Sequence, residues 1–314
     1  MATPGPTATA EMPPMMYGTA WKKERTADLV YEAIKAGFRG IDTAAMKKHY
    51  DEASTGEGIR RAISEGICSR RDLFIQTKFT PLDDTSSYSL TDSIPAQIHS
   101  SLATSLTNLS TPDHDPPYLD ALIMHSPFPS LPQTLEAWTA LQSYLPTSPL
   151  PAHAGKILRL GISNVTLPVL RALSSMEDPV TIVQNRLRAA ERHWDAHVRA
   201  WCASTRPQVT YQGFWTLTGN GEVWQRAGFV RDVARGAGVS LAAAWYALLM
   251  HAGVVVLNGT GDRGHMREDL EVLGRVGAWR ATREGEEGWG RCWGEFVGLV
   301  GVGGVGGELG EGGA

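Results

Sequence analysis

Three ionisable residues each close an apolar, strand-like run. Asp42 ends FRGID, Lys78 ends LFIQTK and His125 ends LDALIMH. Because the carboxyl ends of parallel strands meet at one edge of a sheet, we expect an acid, an ammonium and an imidazole to converge there. A buried lysine is costly unless it is paired, and Asp42 is the obvious partner. The spacing therefore predicts a Lys78–Asp42 pair beside a histidine.

Tyr50 is the residue on which such a pair would act. It follows Asp42 in the segment DTAAMKKHYDE. A phenol with a pKa of about 10 is a weak acid at neutral pH, and a nearby ammonium favours the phenolate and lowers that pKa. The combination predicts a proton donor for a substrate oxygen that becomes negative as a hydride reaches the adjacent carbon.

The elements that must position these residues alternate regularly along the chain. Strand-like runs are Met15–Thr19, Phe38–Asp42, Leu73–Lys78, Leu119–His125, Ile157–Ser163, Thr181–Asn185, Gln208–Phe214 and Val254–Asn258. Helix-like stretches are Thr26–Ala36, Glu57–Glu65, Ile94–Leu106, Gln133–Tyr144, Leu167–Ser175, Trp194–Ser204, Val223–Ala234, Leu241–His251 and His265–Leu273. Eight such units predict the α/β class and a single-domain (β/α)₈ TIM barrel. A doubly wound sheet competes, but no Gly-rich turn follows the first strand.

The two ends of the chain have the composition of poorly structured segments. Residues 285–314 hold 13 of the 34 glycines and end in GLVGVGGVGGELGEGGA. Such a segment buries too little apolar surface to offset the entropy of ordering it. We therefore predict a flexible N-terminal arm over 1–12, a barrel over 13–284 and a mostly disordered tail over 285–314.

Composition excludes several functional classes. The 314 residues carry 29 basic and 33 acidic side chains, which argues against nucleic acid or an anionic membrane as a partner. No apolar run approaches the roughly 18 residues of a membrane span, and the N-terminus lacks a signal-peptide pattern. Cys68, Cys202 and Cys292 form no CxxC pair, so no thiolate metal site or disulfide framework is expected. A cytoplasmic protein is predicted, and its oligomeric state stays open.

A series of short blocks gives the chain a family resemblance. The blocks GFRGIDTA with a following tyrosine, QTKF, LIMHSP, GKILRLGISN and VQNR occur in this order over about residues 15–275. In that order they resemble the aldo-keto reductase superfamily. The resemblance implies a (β/α)₈ barrel that binds NADPH, with NADH as an alternative cofactor. It also implies reduction of a small-molecule aldehyde or ketone to an alcohol.

The same resemblance implies a catalytic tetrad. Tyr50 would be the general acid, Lys78 would tune its pKa, Asp42 would hold Lys78, and His125 would orient and polarise the carbonyl. The family's tyrosine lies five residues after the aspartate, where this chain has Lys47. Tyr50 lies eight residues after it, so we interpret MKK as an insertion.

Cofactor and substrate contacts are also implied by the resemblance. The predicted cofactor-binding residues are Gly18, Thr19, Ser163, Asn164, Gln184, Phe214, Thr260, His265, Glu268 and Asp269. Ser163, Asn164 and Gln184 would bind the nicotinamide carboxamide, whose amide needs complementary polar partners, and Phe214 would stack on the ring. Trp21 and Trp215 would form the rim of an apolar substrate pocket.

The predicted site for the cofactor's 2′-phosphate departs from the family. The positions where relatives carry a lysine and an arginine hold Gly259 and His265. Thr260 can hydrogen-bond a phosphate, Arg263 or Arg267 could supply charge, and the backbone N–H groups of Gly259 and Gly261 could line an anion site at the helix start. We therefore expect only a modest preference for NADPH over NADH.

Two other functions remain open at this point. One is an NADPH-binding barrel that acts as a regulatory or interaction subunit, with little or no turnover. The other is a phosphate-binding isomerase, although the chain has no Gly-rich phosphate loop after the seventh strand. The Lys78–Asp42 pair favours the reductase, because a binding module has no need of a buried ion pair.

Overall fold

The computed structural model describes residues 10–190 and 192–301. Eight parallel strands pair in chain order, and the first also pairs with the last to close a barrel. The strands are β1 Met15–Gly18, β2 Gly40–Asp42, β3 Phe74–Phe79, β4 Ala121–Met124, β5 Leu160–Ser163, β6 Ile182–Arg186, β7 Thr210–Phe214 and β8 Val255–Asn258. The predicted (β/α)₈ barrel is confirmed.

The helices cover the outside of the barrel. They are α1 Thr26–Ala36, α2 Glu52–Ser64, α3 Ile94–Asn108, α4 Leu131–Gln142, α5 Leu167–Leu173, α6 Arg192–Ser204, α7 Gly221–Trp224, α8 Gly228–Ala237, α9 Leu241–His251, α10 Arg263–Arg280 and α11 Arg283–Val300. In the described part of the chain, no single helix is long and apolar enough to cross a bilayer. Among the described residues, one pair of helices, α8 and α9, has the combined length and apolar composition of a membrane span, and the two helices are bent by 100° relative to each other.

The start of α2 differs from the predicted boundary in a way that matters for the site. The helix begins at Glu52, five residues before the predicted start, because Asp51 caps it by accepting the backbone N–H of Ser54 at 2.9 Å. Such a side-chain cap satisfies one of the otherwise unpaired donors of the first turn. The cap fixes the segment that directly follows Tyr50.

The barrel interior changes from apolar to polar along its axis. Strand side chains alternate between the interior and the surrounding helices. One small cluster of buried hydrophobic residues is separate from the main core and consists of Met16, Phe74, Ala121, Ile123 and Ile182. Nearer the carboxyl ends of the strands, polar residues are buried instead, namely Asp42, Gln76, Lys78, Gln184 and Gln212. The candidate catalytic residues Asp42 and Lys78 therefore lie at the polar end of the barrel interior.

The N-terminal segment packs against the other end. Ala10 and Met12 contact the small interior cluster, and the Sδ atom of Met12 accepts a hydrogen bond from Gln212 Nε2 at 3.3 Å. A Cβ atom at Gly40 would lie 2.7 Å from Pro13, so this close approach requires glycine. The predicted flexible arm is therefore wrong for residues 10–12, and residues 1–9 lie outside the described chain.

The predicted disordered tail is wrong for residues 285–300, which belong to α11. Thr282 caps this helix by accepting the N–H of Gly285 at 3.0 Å. Its buried face carries Trp289, Cys292 and Phe296, whose spacing of three and four residues is that of a helix packed on one side. These large side chains outweigh the high glycine content. Residues 302–314 lie outside the described chain.

Candidate active site

The predicted ion pair lies at the carboxyl ends of β2 and β3. Lys78 Nζ is 2.7 Å from Asp42 Oδ2, and the side chains are 1% and 2% exposed. The ammonium also donates to the backbone carbonyl of Thr43 at 2.8 Å. Two buried charges without partners would each cost several kcal/mol. The pair and its hydrogen bonds therefore fix the position of a positive charge below the barrel mouth.

Buried glutamines complete the surroundings of Asp42. Its second oxygen, Oδ1, accepts hydrogen bonds from Gln76 Nε2 at 2.6 Å and from Gln184 Nε2 at 3.0 Å. Both amides also donate to Gln212 Oε1, at 2.9 Å and 2.8 Å. Sequence reasoning missed Gln76 and Gln212. The signal for Gln76 was available, since it lies two residues before Lys78 on the same face of β3.

Tyr50 reaches this pair despite the unusual spacing. It is half-buried directly before the α2 cap, and its N–H donates to the carbonyl of Met46 at 3.0 Å. Lys78 Nζ lies 4.9 Å from the centre of the Tyr50 ring, and the His125 ring packs edge-on against it at 6.1 Å. The structure thus brings Asp42, Tyr50, Lys78 and His125 together.

The ionisation of Tyr50 differs from the expectation. Burial raises its pKa, and although the Lys78 charge lowers it, the net direction is upward. The predicted lowering is wrong because removal of the phenolate from water outweighs the ammonium. Burial also lowers the pKa of Lys78, but Asp42 and Tyr50 raise it by more. At neutral pH the site therefore holds a protonated phenol beside a charged lysine.

His125 is held by two contacts. Its Nδ1 atom lies 2.8 Å from Thr80 Oγ1, and its backbone carbonyl accepts a hydrogen bond from Asn164 Nδ2 at 2.9 Å. Burial, and then the charges of Lys78 and His49, lower the pKa of His125 to about 3. The imidazole is therefore neutral at physiological pH. Sequence reasoning missed Thr80, although it follows Lys78 by two residues at the end of β3.

The predicted carboxamide-binding residues lie next to the tetrad. Asn164 Nδ2 donates to Ser163 Oγ at 3.1 Å as well as to the carbonyl of His125. Gln184 uses its amide N–H groups on Asp42 and Gln212, and its Oε1 accepts no bond from the described residues. These residues line one side of the barrel mouth.

Thr19 has unused hydrogen-bonding capacity at the same level. Gly18 pairs with Asp42 in the β1–β2 register, and the next N–H, that of Thr19, donates to the carbonyl of Asp42 at 3.0 Å. Thr19 is fully buried, and its Oγ1 has no hydrogen-bond partner among the described residues. A buried polar atom without a partner is rare in folded proteins. This atom and Gln184 Oε1 fit a ligand with both amide and hydroxyl groups.

The predicted aromatic residues lie on different parts of the rim. Phe214 ends β7 and packs edge-on against Trp215, which is 46% exposed and lies 5.0 Å from the guanidinium of Arg186. Trp21 is 61% exposed and packs on His49, with ring centres 4.0 Å apart. The backbone N–H of Trp21 also donates to the backbone carbonyl of His49 at 2.8 Å. Trp21 therefore contacts the segment that carries Tyr50, whereas Trp215 packs against Phe214 and Arg186.

In the loop after β8, a carboxylate of the protein itself binds backbone N–H groups at the start of α10. Asp262 Oδ1 accepts the N–H groups of Gly264 and His265 at 2.7 Å and 2.9 Å. These two N–H groups at the start of α10 lower the pKa of Asp262, so the carboxylate is charged. The Oγ1 atom of Thr260 accepts the N–H of Asp262 at 3.2 Å. The first N–H groups of α10 therefore already bind a carboxylate, whereas the N–H groups of Gly259 and Gly261, which are the ones predicted for the phosphate, are not among them.

Of the three basic side chains at the start of α10, one is paired with an acid among the described residues. Arg263 lies 2.7 Å from Glu32, whereas His265 and Arg267 are exposed. Glu268 accepts the N–H of Ser240 at the start of α9, at 2.9 Å.

Asp269 is buried and accepts a hydrogen bond from Asn258 Nδ2 at 2.7 Å, and burial raises its pKa to about 6. Each carboxyl group thus accepts a hydrogen bond from another part of the protein, and the adenine contacts of Glu268 and Asp269 stay predictions.

Comparison with known sequences identifies a family and several relatives that resemble this chain. A family model described as the Aldo/keto reductase family matches residues 14–275. An NAD(P)H-dependent D-xylose reductase of Candida tropicalis is 30% identical over 183 residues, which are 50% of this chain and 49% of the relative. An NAD(P)H-dependent 6′-deoxychalcone synthase of Glycine max is 25% identical, over 86% of this chain and 84% of that protein. The first two curated relatives are matched over only 18% and 20% of their length.

Solved structures show the same fold. An aldo-keto reductase of the silkworm, Bombyx mori, has a TM-score of 0.66 at 20% identity, covering 86% of this chain and 84% of its own. The complex of this silkworm enzyme with NADPH gives the same values. An aldo/keto reductase from Brucella melitensis also has a TM-score of 0.66 at 20% identity, covering 83% and 89%. With the family model matched over most of its length, the chain belongs to the aldo/keto reductase family.

Proposed function

We propose that this protein is an NAD(P)H-dependent reductase that converts an aldehyde or ketone into an alcohol. One observation supports this function above all others. Tyr50, Lys78 and His125 meet at the carboxyl ends of the strands, where the Tyr50 ring centre lies 4.9 Å from Lys78 Nζ and 6.1 Å from the centre of the His125 ring. The directions of their pKa shifts agree with a protonated Tyr50, a charged Lys78 and a neutral His125. Together they can donate a proton, stabilise the phenolate that remains and polarise a carbonyl without competing for the same proton.

Tyr50 acts as the general acid. The hydride for the carbonyl carbon would come from NAD(P)H when it is bound at the mouth of the barrel. As negative charge develops on the substrate oxygen, the Tyr50 hydroxyl gives its proton to that oxygen, and the alcohol forms. Lys78, 4.9 Å from the ring centre, stabilises the phenolate, and Asp42 keeps Lys78 in place.

Thr80 sets the role of His125. The hydroxyl of Thr80 has one hydrogen-bond partner among the described residues, the Nδ1 atom of His125. Because a buried hydroxyl needs an acceptor for its proton, Thr80 donates to Nδ1, which must then carry a lone pair. A neutral imidazole in that state has its proton on Nε2. His125 can therefore donate a hydrogen bond from Nε2 to the carbonyl oxygen.

The cofactor would be bound at the mouth by groups with spare capacity. Thr19 Oγ1 and Gln184 Oε1 accept no hydrogen bond from the described residues, and Ser163 and Asn164 lie beside them. Phe214 offers a flat ring for stacking. We assign either NADPH or NADH, because the charged Asp262 disfavours a phosphate at the start of α10.

The direct test is the oxidation of NADPH and of NADH by the purified protein across a panel of aldehydes and ketones. We expect turnover with at least one carbonyl substrate and formation of the matching alcohol. Tight NADPH binding with no turnover on any substrate would contradict the proposal and favour a regulatory barrel.

A further inference from the structure

A cavity of about 410 Å³ opens beside Tyr50. Its lining includes most of the segment from Ala44 to Ala53 and polar side chains from the β3–α3 loop and α3, including Thr104 and Asn108. Trp21, which packs on His49, also lines it. A volume of this size is large enough for a small organic molecule.

The cavity is lined by more positive than negative free charge. Lys23 from the loop after β1 and Lys47 and Lys48 from the loop after β2 all contribute to its wall and are exposed. None of the three ammonium groups has a carboxylate partner within the described residues. Both lysines of the second loop belong to the MKK segment that displaces Tyr50 from its usual spacing.

The two acids in the same lining are fewer than the three lysines, and both are hydrogen-bonded within the protein. Both carboxylate oxygens of Asp51 are used within the first turn of α2, where they accept the N–H and the hydroxyl of Ser54 at 2.9 Å and 2.7 Å. Glu52 is buried and accepts hydrogen bonds from Thr77 and Ser105. Burial raises the pKa of Glu52 by more than these hydrogen bonds lower it, so the net effect favours the neutral carboxyl group.

We propose that the preferred substrate of this enzyme is a carbonyl compound that also carries a carboxylate or phosphate group, which Lys23, Lys47 and Lys48 bind in this cavity. This inference rests on the proposed function, because Tyr50, the general acid of that function, forms part of the cavity wall. A concave site with several like charges concentrates ligands of opposite charge and raises their rate of capture. Lysine, a compact point charge, suits an anionic group of either geometry.

The test compares matched pairs of substrates that differ in charge. The pairs are 4-formylbenzoate with its methyl ester, and D-glucuronate with D-glucose. For the native protein we expect kcat/KM to be about 10-fold higher for the charged member of each pair, and we expect this ratio to fall between about 0.05 M and 0.5 M salt. A ratio of one or below for both pairs would overturn the inference.

Charge removal assigns the effect to the cavity. In the double variant Lys47→Gln, Lys48→Gln we expect the charged-to-neutral ratio of kcat/KM to fall by about 5- to 10-fold, mainly through KM of the charged substrate. The matched control is Lys156→Gln, in the loop before β5 at the opposite end of the barrel. We expect this control to keep the native ratio. An unchanged ratio in the double variant would overturn the inference.

Two further measurements separate the remaining outcomes. If inorganic phosphate accelerates reduction of the neutral ester instead of competing with 4-formylbenzoate, a separate anion occupies the cavity and the inference fails. If no carbonyl compound is reduced, the proposed function fails. Calorimetric titration with 4-formylbenzoate alone then decides the cavity: binding that the double variant weakens supports the anion site, and equal binding overturns it.

Discussion

The buried ion pair of Asp42 and Lys78, which we call the floor of the site, differs from the exposed loop after β8, which we call the rim. The difference lies in what determines the partners of their side chains. On the floor, Asp42 and Lys78 are almost fully buried, and each makes several short hydrogen bonds. On the rim, Asp262 and His265 are exposed to solvent. Burial makes an unpaired charge costly, so residue types on the floor determine their partners. Water can solvate exposed charges, so residue types on the rim do not determine which partners their side chains have.

The largest expected effect comes from removing one partner of the buried Lys78–Asp42 ion pair. Lys78→Met leaves the Asp42 carboxylate buried with amide donors only. We expect turnover to fall by at least about 1000-fold, because the phenolate that Tyr50 becomes on giving up its proton loses the ammonium that stabilises it. We also expect the free energy of unfolding to fall by about 3–5 kcal/mol.

Urea denaturation and steady-state rates measure these effects. Lys156→Met removes a lysine away from the site, and we expect it to change the free energy of unfolding by less than about 0.5 kcal/mol. Asp42→Asn is expected to be milder than Lys78→Met. Equal stability of Lys78→Met and the native protein would show that the buried ion pair does not stabilise the fold.

A smaller effect is expected at the edge of the floor. Thr80→Val removes the hydroxyl that donates to His125 and lets the imidazole adopt either tautomer. We expect kcat to fall by about 10-fold, with Thr80→Ser restoring most of it. Nitrogen NMR shifts of His125 report the tautomer independently of activity. A native protein with the proton on Nδ1 would contradict this role of Thr80.

On the rim, a single charge should change cofactor choice only slightly. Asp262→Asn keeps a side chain that caps α10 and removes the negative charge. We expect the affinity for NADPH relative to NADH to rise by about 3- to 5-fold, because exposed charges are screened. Fluorescence titration gives both dissociation constants, and Glu177→Gln, an exposed charge before β6, is the control. An unchanged affinity ratio would place the phosphate away from Asp262.

The smallest expected effect is on the pH profile. The pKa of His125 is about 3 and that of Tyr50 is raised, so neither group titrates near neutrality. We expect kcat for reduction to stay within about 2-fold between pH 5 and pH 8.

The same shift affects stability. Because the pKa of His125 is lower in the folded protein than the ordinary histidine value near 6.5, the free energy of unfolding falls as the pH drops below about 6.5. A kcat that follows a single ionisation near pH 6.5 would contradict a buried, neutral His125.

The same contrast explains what the sequence predicts well. Alternating strands and helices predict the barrel, and strand-end residues predict the pairing of Lys78 with Asp42, since burial leaves few alternatives. The pKa direction of Tyr50 could not be predicted, because it depends on how deeply the ring is buried. Glycine content misleads over residues 285–300, where the large side chains of Trp289 and Phe296 decide the outcome.

The central claim is that Tyr50 donates the proton although it lies three residues beyond the usual position. Tyr50→Phe removes the hydroxyl and keeps the ring that packs against His125. We predict that kcat falls by at least about 100-fold while the dissociation constant for NADPH stays within about 3-fold of the native value. Retention of most of the native kcat, with NADPH bound equally well, would contradict the account and place the proton donor elsewhere.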